Sequence, residues 1–245
     1  MKIIKYTNKN IGSFYVVVSL CVAFFSFLAF VAYGKIEDKA SNQKANKSYT
    51  VILDAGHGGE DGGAVGFNNI CEKDINLSIA LGLRDLLEVS GYNVIMTRQE
   101  DTAIYDENCK SLREKKRSDL KNRLEIIKEN SEDSNIFISV HQNKFTDPKY
   151  SGSQIFYSKN NPLSQELANC IKGSIVGLIQ PDNTREIKPG DKNIYLLHNS
   201  QIPSAIVECG FLSNEEEAKK LNTKEYQGQL AFCIYCGITN YFANL

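Results

Sequence analysis

The chain from residue 49 onward alternates short apolar runs with longer segments in which apolar residues recur at helical spacing. Short runs that are apolar throughout are typical of buried strands, and the amphipathic segments between them predict helices that pack on a sheet. We therefore predict strands at residues 49–54, 92–97, 136–141, 153–157, 193–197 and 204–208. This alternation is typical of the α/β class.

The clearest helical pattern covers residues 72–90, where Ile75, Ile79 and Leu83 share one face and Gly91 follows as a C-terminal stop. Further helices are predicted at residues 112–130, 162–178 and 224–242. Asn214 is predicted to cap a short helix that ends near Leu221. The stretches 98–111 and 180–192 are predicted to be loops.

The N-terminal region has the pattern of a membrane-targeting segment. Residues 14–33 are uncharged and largely apolar, and three lysines precede them, at Lys2, Lys5 and Lys9. About twenty apolar residues can cross a bilayer, and basic residues before them favour export of everything that follows. Residues 1–34 therefore predict either a signal anchor that contacts the membrane or a cleaved signal peptide. Residues 35–48 predict a polar linker, and residues 49–245 a folded domain outside the cytoplasm.

Composition narrows the class of protein. The chain has 245 residues, 42% of them hydrophobic, so the part after residue 48 is long enough for one well-packed domain. A formal net charge of -1 gives no electrostatic support for nucleic-acid binding. The seven cysteines have irregular spacing, which favours separate thiols over a disulfide framework or a zinc ribbon.

Two of the three histidines follow predicted strands, where open α/β sheets gather their ligands. His57 lies in a glycine-rich turn after the first strand, and His141 ends the third. A hydrolytic zinc site usually has three protein ligands and one open position. Glu72 is the preferred third ligand because it begins the helix directly after the loop that carries His57. Three other nearby carboxylates stay open as rivals: Glu60, Asp61 and Asp74.

Glu208 interrupts an otherwise apolar strand. Burial of an unpaired carboxylate is costly, so this residue needs a partner or a function. One interpretation is a structural ion pair, and the other is a general acid/base beside a metal-bound water. A nearby site built from two histidines and a glutamate favours the second.

Five motifs in order resemble those of the zinc-dependent N-acetylmuramoyl-L-alanine amidases. They are residues 54–64 (DAGHGGEDGGA), 72–73 (EK), 97–98 (TR), 139–143 (SVHQN) and 207–214 (VECGFLSN). The resemblance implies one α/β catalytic domain with a mixed central sheet of about six strands and helices on both faces. It also implies that His57, Glu72 and His141 bind Zn²⁺, and that Glu208 is the catalytic acid/base. The expected substrate is peptidoglycan, cleaved between N-acetylmuramic acid and the L-Ala of the stem peptide.

Some departures from the broad family pattern resemble the sporulation amidases of endospore formers. These are Gln142, Lys144-Phe145 and residues 118–123 (SDLKNR), in a membrane-targeted chain without wall-binding repeats. The resemblance implies action on spore-cortex peptidoglycan, in the space between the forespore and mother-cell membranes, as a step toward the muramic-δ-lactam needed for germination. The missing wall-binding module suggests a partner protein that localises or activates the enzyme.

Two other functions stay open: a zinc peptidase of the cell wall that uses the same ligands, and a non-catalytic peptidoglycan-binding protein. Asp54 and Asn143 are candidates to orient the two imidazoles, on sequence proximity alone. His198 is interpreted as a surface or supporting residue and is left out of the ligand set.

Overall fold

A computed structural model describes residues 49–132 and 134–245, and in these residues six strands form one mixed sheet. The spatial order is β2-β1-β3-β6-β4-β5. The strands are β1 (Thr50–Ala55), β2 (Asn93–Met96), β3 (Asn135–Asn143), β4 (Gln154–Tyr157), β5 (Lys188–Pro189) and β6 (Ser204–Phe211). All neighbouring pairs are parallel except β4 and β6. The predicted mixed sheet is therefore confirmed.

Six α-helices accompany these strands in the described residues: α1 (Glu72–Val89), α2 (Leu112–Glu129), α3 (Leu163–Leu178), α4 (Tyr195–Asn199), α5 (Glu215–Leu221) and α6 (Lys224–Ala243). Local capping explains several of their starts. Ser111 and Glu114 form a reciprocal capping box at α2, and the predicted cap Asn214 accepts a hydrogen bond from the backbone of Glu217 at α5.

The helices cover both faces of the sheet, because successive strand residues point to opposite sides. Val51 and Leu53 face a large core that α1, α3 and α6 complete. Ile52 and Phe137 face a smaller core with Leu124 of α2. The sheet is thus a middle layer between two hydrophobic cores.

Two predicted elements are wrong. Residues 193–197 were expected to be a strand, but Tyr195–Asn199 is the short helix α4. Asp191 accepts the backbone N–H groups of Asn193 and Ile194 in a turn that leads into this helix. A short apolar run does not distinguish helix from strand by periodicity. The predicted loop 180–192 contains β5, which pairs with the end of β4 at the sheet edge.

The predicted N-terminal targeting segment and linker, residues 1–48, lie outside the described residues. Among the residues that are described, no helix is both long enough and apolar enough to cross a bilayer.

Parallel pairing brings three strand ends together. In the register of β1, β3 and β6, Ala55 lies beside Val140, and His141 lies beside Glu208. The residues that follow these positions therefore meet at one edge of the sheet, as expected for an α/β ligand site.

Candidate active site

The loop after β1 folds back on itself and carries His57 to the end of β3. The N–H of Gly56 donates to the carbonyl of Val140, and Gly58 and Asp61 exchange two backbone hydrogen bonds. His57 itself has a positive φ of 63°. The φ is uncommon for a residue with a side chain, so the surrounding contacts must hold this backbone in place.

Two glycines of this loop lie so close to the side chains of the cluster that a larger residue would collide with them. A Cβ on Gly56 would overlap the His141 ring, 2.7 Å from its Cδ2 atom. A Cβ on Gly63 would lie 2.6 Å from Oε2 of Glu72 and 2.7 Å from Cδ2 of His57. The glycine-rich sequence therefore lets the backbone pass close beside all three side chains.

His57, Glu72 and His141 converge on one point. Oε1 of Glu72 lies 2.8 Å from Nδ1 of His141 and 3.3 Å from Nε2 of His57, and the two rings are 5.0 Å apart between centroids. Each of the three residues offers one ligand atom, and these three atoms all lie within 4.8 Å of one another. Two imidazole nitrogens and one carboxylate oxygen are a ligand set suited to zinc.

The Asp61 carboxylate orients His57 from behind. Its Oδ2 lies 2.9 Å from Nδ1 of His57, while its Oδ1 lies 2.8 Å from Nζ of Lys116 and accepts the N–H of Gly63 at 3.2 Å. With Nδ1 engaged, the Nε2 atom of His57 is the one that faces Glu72. Carboxylates placed in this way set the tautomer of metal-binding histidines.

Glu72 is buried and held by several donors. The N–H of Ala64 donates to Oε2 at 2.7 Å, and the N–H of Gln142 donates to Oε1 at 3.0 Å. Asn76, one helical turn further along α1, donates both to Oε1 of Glu72 and to the carbonyl of Gly56. This network joins the helix, the loop and the end of β3 around one carboxylate.

Two arginines support the loop from below. Arg123 of α2 is buried, donates to the carbonyl of His57 at 2.8 Å and forms an ion pair with Asp54 at the end of β1. Arg98 donates to the carbonyl of Gly56 at 3.1 Å. These contacts satisfy backbone carbonyls that the tight turn leaves without partners.

Glu208 lies beside His141 on the neighbouring strand, and adjacent strands are about 4.8 Å apart. Its Oε2 is buried and has no hydrogen-bond partner among the described residues. Burial raises the pKa of Glu208 to about 7; Glu72 adds to the rise, while His141 and His57 oppose it. A carboxyl group in this setting can both accept and release a proton near neutral pH.

The protonation of the three clustered residues is tightly coupled. Burial lowers the pKa of His57, but hydrogen bonds and charges from Asp61 and Glu72 raise it to about 9. Burial raises the pKa of Glu72, but hydrogen bonds and charges from the two histidines have the larger effect. The pKa of Glu72 therefore lies well below its usual value. Histidines that bind a metal must be neutral, so a metal ion would take the place of these imidazole protons. The donor set, the glycine clearance and the unpartnered Glu208 oxygen all fit a hydrolytic zinc site.

The other residues that the sequence suggested for this site are not part of the cluster. Glu60 pairs with Lys115 and is exposed, Asp74 is exposed, and Asp61 supports His57 rather than completing the cluster. Neither Asp54 nor the Asn143 side chain hydrogen-bonds an imidazole within the described ranges. His198 is exposed on α4 and is not a member of the cluster. The support from Lys116 and Arg123 was missed, since nothing in the sequence pattern brings α2 to this loop.

Comparisons with known proteins agree with this site. A family model described as N-acetylmuramoyl-L-alanine amidase matches residues 51–240. The germination-specific N-acetylmuramoyl-L-alanine amidase of Bacillus subtilis is 39% identical over 192 residues, which cover 78% of this chain and 79% of that protein.

Solved structures give the same result. The CwlD amidase from Clostridioides difficile, in complex with the GerS lipoprotein, is 47% identical with a TM-score of 0.76, and the match covers 80% of this chain and all of that one. The amidase AmiC2 of Nostoc punctiforme is 28% identical with a TM-score of 0.69, covering 81% of this chain and 99% of that one. The chain described here therefore belongs to the N-acetylmuramoyl-L-alanine amidase family and is an enzyme of that class.

Proposed function

We propose that this amidase is zinc-dependent, with His57, Glu72 and His141 as the zinc ligands and Glu208 as the catalytic acid/base. The observation that carries the proposal is the unpartnered, buried carboxyl oxygen of Glu208 on the strand next to His141. A buried carboxyl without a partner is costly unless a ligand or a reaction uses it.

The chemistry follows from the side chains. A zinc ion in such a site lowers the pKa of a water molecule and polarises a carbonyl group. Glu208 takes the proton that the attacking water loses and delivers it to the departing amine of L-Ala. Asp61 keeps the proton of His57 on Nδ1, and the hydrogen bonds to Glu72 hold its carboxylate in one orientation.

A cavity of about 180 Å³ beside the cluster provides room for the groups next to the scissile bond. His57 and His141 line one part of it, and Lys116, Leu120 and Leu196 line another. The lining also includes three aspartates that are paired with Lys116 or Arg123: Asp54, Asp61 and Asp119. Apolar and polar groups together suit the lactyl group and the amide on the two sides of the scissile bond.

We propose spore-cortex peptidoglycan as the substrate and the preparation of muramic-δ-lactam as the role. The similarity to the germination-specific amidase of Bacillus subtilis and to the CwlD amidase supports this proposal. We also propose that the chain acts outside the cytoplasm. In this arrangement residues 1–34 are a signal anchor or signal peptide, residues 35–48 a linker, and residues 49–245 the catalytic domain.

Digestion of purified peptidoglycan, followed by mass spectrometry of the products, tests the bond that is cut. Release of intact stem peptides together with unsubstituted muramic acid supports the proposal. Shortened stems would indicate a peptidase instead, and the absence of any product would indicate a binding protein.

A partner lipoprotein is also proposed, because the CwlD amidase was solved in complex with GerS. Activity and zinc content of the purified chain should rise when spore-envelope extract is added. Full activity and full zinc content in the purified chain alone would contradict a need for a partner.

A further inference from the structure

A second and larger cavity opens at the same edge of the sheet as Glu208. It has a volume of about 680 Å³ and lies between the segment that enters β4, the loop after α3 and helix α5. Tyr150, Arg185, Glu217 and Lys220 are among its lining residues. The cluster of His57, Glu72 and His141 does not contribute to it.

Contacts hold Arg185 in a fixed position in this cavity, and they leave its two terminal nitrogens without hydrogen-bond partners among the described residues. Its Nε donates to the carbonyl of Ser151 at 2.8 Å, and its guanidinium carbon lies 4.5 Å from the ring centre of Phe211 and 5.5 Å from that of Tyr150. Within the described ranges, neither terminal nitrogen has a hydrogen-bond partner, and no acidic side chain lies within ion-pair distance. A guanidinium in this state is preorganised to bind a carboxylate through two parallel N–H donors.

One of the acids that line the cavity, Glu217, already has hydrogen-bond partners. The two carboxylate oxygens of Glu217 accept the N–H groups of Gly152 and Phe211, at 2.8 Å and 2.7 Å. Lys220 adds a second cation, which lies 4.2 Å from the ring centre of Tyr226. Among the described residues it has no acidic group within ion-pair distance. Asp182 and Glu216 also line the cavity, and the charges of Arg185 and Lys220 oppose the rise that burial causes in the pKa of Glu217. The feature that the cavity offers to an anion is therefore the pair of unpartnered N–H donor groups of Arg185 rather than an excess of positive charge.

The cavity lies within reach of the reaction. Phe211, on which Arg185 stacks, follows Glu208 by three residues on β6. Three strand residues span about 10 Å, and the guanidinium carbon lies a further 4.5 Å from the ring centre of Phe211, so Arg185 lies on the order of 15 Å from Glu208 along this path. A peptide that starts at the scissile amide covers this distance with about four residues.

We propose that this cavity is a binding subsite for the stem peptide, and that Arg185 recognises a carboxylate about four residues from the scissile amide. The inference rests on the proposed amidase function and adds a basis for substrate selection. The carboxylate is either the C-terminus of the stem or an acidic side chain near it.

Synthetic muramoyl peptides with four-residue stems test this inference. Three substrates are compared: one with all its carboxylates free, one with the C-terminus amidated and one with the side-chain carboxylate amidated. Loss of one charge-assisted pair should lower kcat/KM about ten- to hundredfold, mainly through KM. The amidation that causes this loss identifies the source of the recognised carboxylate.

The variant Arg185→Gln should show the same loss with the free acid and no preference between the acid and its amide. Lys188→Gln, which removes an exposed charge from β5, three residues further along the chain, should keep the wild-type preference. Titration of the released stem peptide into each protein measures binding without turnover.

If Arg185→Gln lowers kcat/KM equally for the acid and the amide substrates, or lowers it for neither, the inference is wrong. If the wild type binds the acid peptide selectively but cleaves no substrate, the proposed function fails and the subsite stands.

Discussion

Asp61 determines which nitrogen of His57 faces the proposed metal centre. A neutral imidazole has one N–H donor, and the carboxylate at 2.9 Å keeps that proton on Nδ1. Lys116 and the N–H of Gly63 hold the other oxygen of Asp61. A chain of contacts therefore runs from α2 to the proposed ligand atom of His57.

Replacement of Asp61 by alanine should weaken zinc binding about 10- to 100-fold without unfolding the protein, because the His57 ring loses its preferred orientation. Competition with a chromophoric chelator measures the affinity. Glu60→Ala is the matched control, since Glu60 is exposed and pairs with Lys115 rather than with a histidine. Equal affinities in the two variants would show that Asp61 does not orient the ligand.

At this scale the sequence indicated the residues of the candidate cluster but not the contacts that support them. His57, His141 and Glu208 are recognisable because ionisable residues at the ends of apolar strands are unusual. Asp61 could only be counted among three candidate carboxylates, since its role depends on the backward turn from Gly58. Lys116 lies 55 residues further along the chain, and no local pattern connects the two.

Among the elements, the glycine-rich loop and the parallel strands β1, β3 and β6 form the site. Parallel pairing places the end of each strand at one edge, and Gly56 lets the loop cross directly over the His141 ring. Strands and long helices were predictable because their apolar periodicity extends over many residues. Helix α4 was not, because its few apolar residues fit either element and its turn at Asp191 decides between them.

Gly56→Ala should lose zinc binding and destabilise the fold by about 1–3 kcal/mol, because its methyl group would overlap the His141 ring. Metal analysis and thermal unfolding measure the two effects. Gly173→Ala on α3 is the control: a methyl group there meets no atom within 4 Å, so stability should stay the same or rise by up to about 1 kcal/mol. A Gly56→Ala protein with full zinc content would refute the steric argument.

At the scale of the whole molecule, a buried ion pair connects the sheet to α2, the helix that packs against the smaller core. Asp54 of β1 pairs with Arg123 of α2 and also accepts hydrogen bonds from Thr97 and Ser139. Burial raises the pKa of Asp54, but Arg123, His141 and these hydroxyl groups lower it from 3.8 to about 2. The charged form of Asp54 therefore stabilises the folded state.

The sign of the pH dependence follows from this shift. Because the pKa of Asp54 is lower in the folded state, its contribution of about 2 kcal/mol is present above pH 4 and is lost as the pH falls toward 2. Asp54→Asn should lower the free energy of unfolding at pH 7 by about 3–5 kcal/mol, since Arg123 loses a buried partner. Urea denaturation at several pH values should show the difference from wild type shrinking below pH 4. Glu125→Gln is the control, because Glu125 forms an exposed ion pair with Lys128, and it should change the free energy of unfolding by less than about 1 kcal/mol. If the difference between Asp54→Asn and wild type did not change with pH, the proposed role of the Asp54 charge would be contradicted.

The central claim is that metal binding and proton transfer belong to different residues of one site. Zinc content and hydrolysis of a muramoyl peptide, measured on the same sample of Glu208→Gln, test it most directly. The account predicts a zinc content equal to that of wild type and a rate at least about 100-fold lower, whereas His57→Ala should lose both zinc and activity. Full activity in Glu208→Gln, or loss of its zinc together with its activity, would contradict the account.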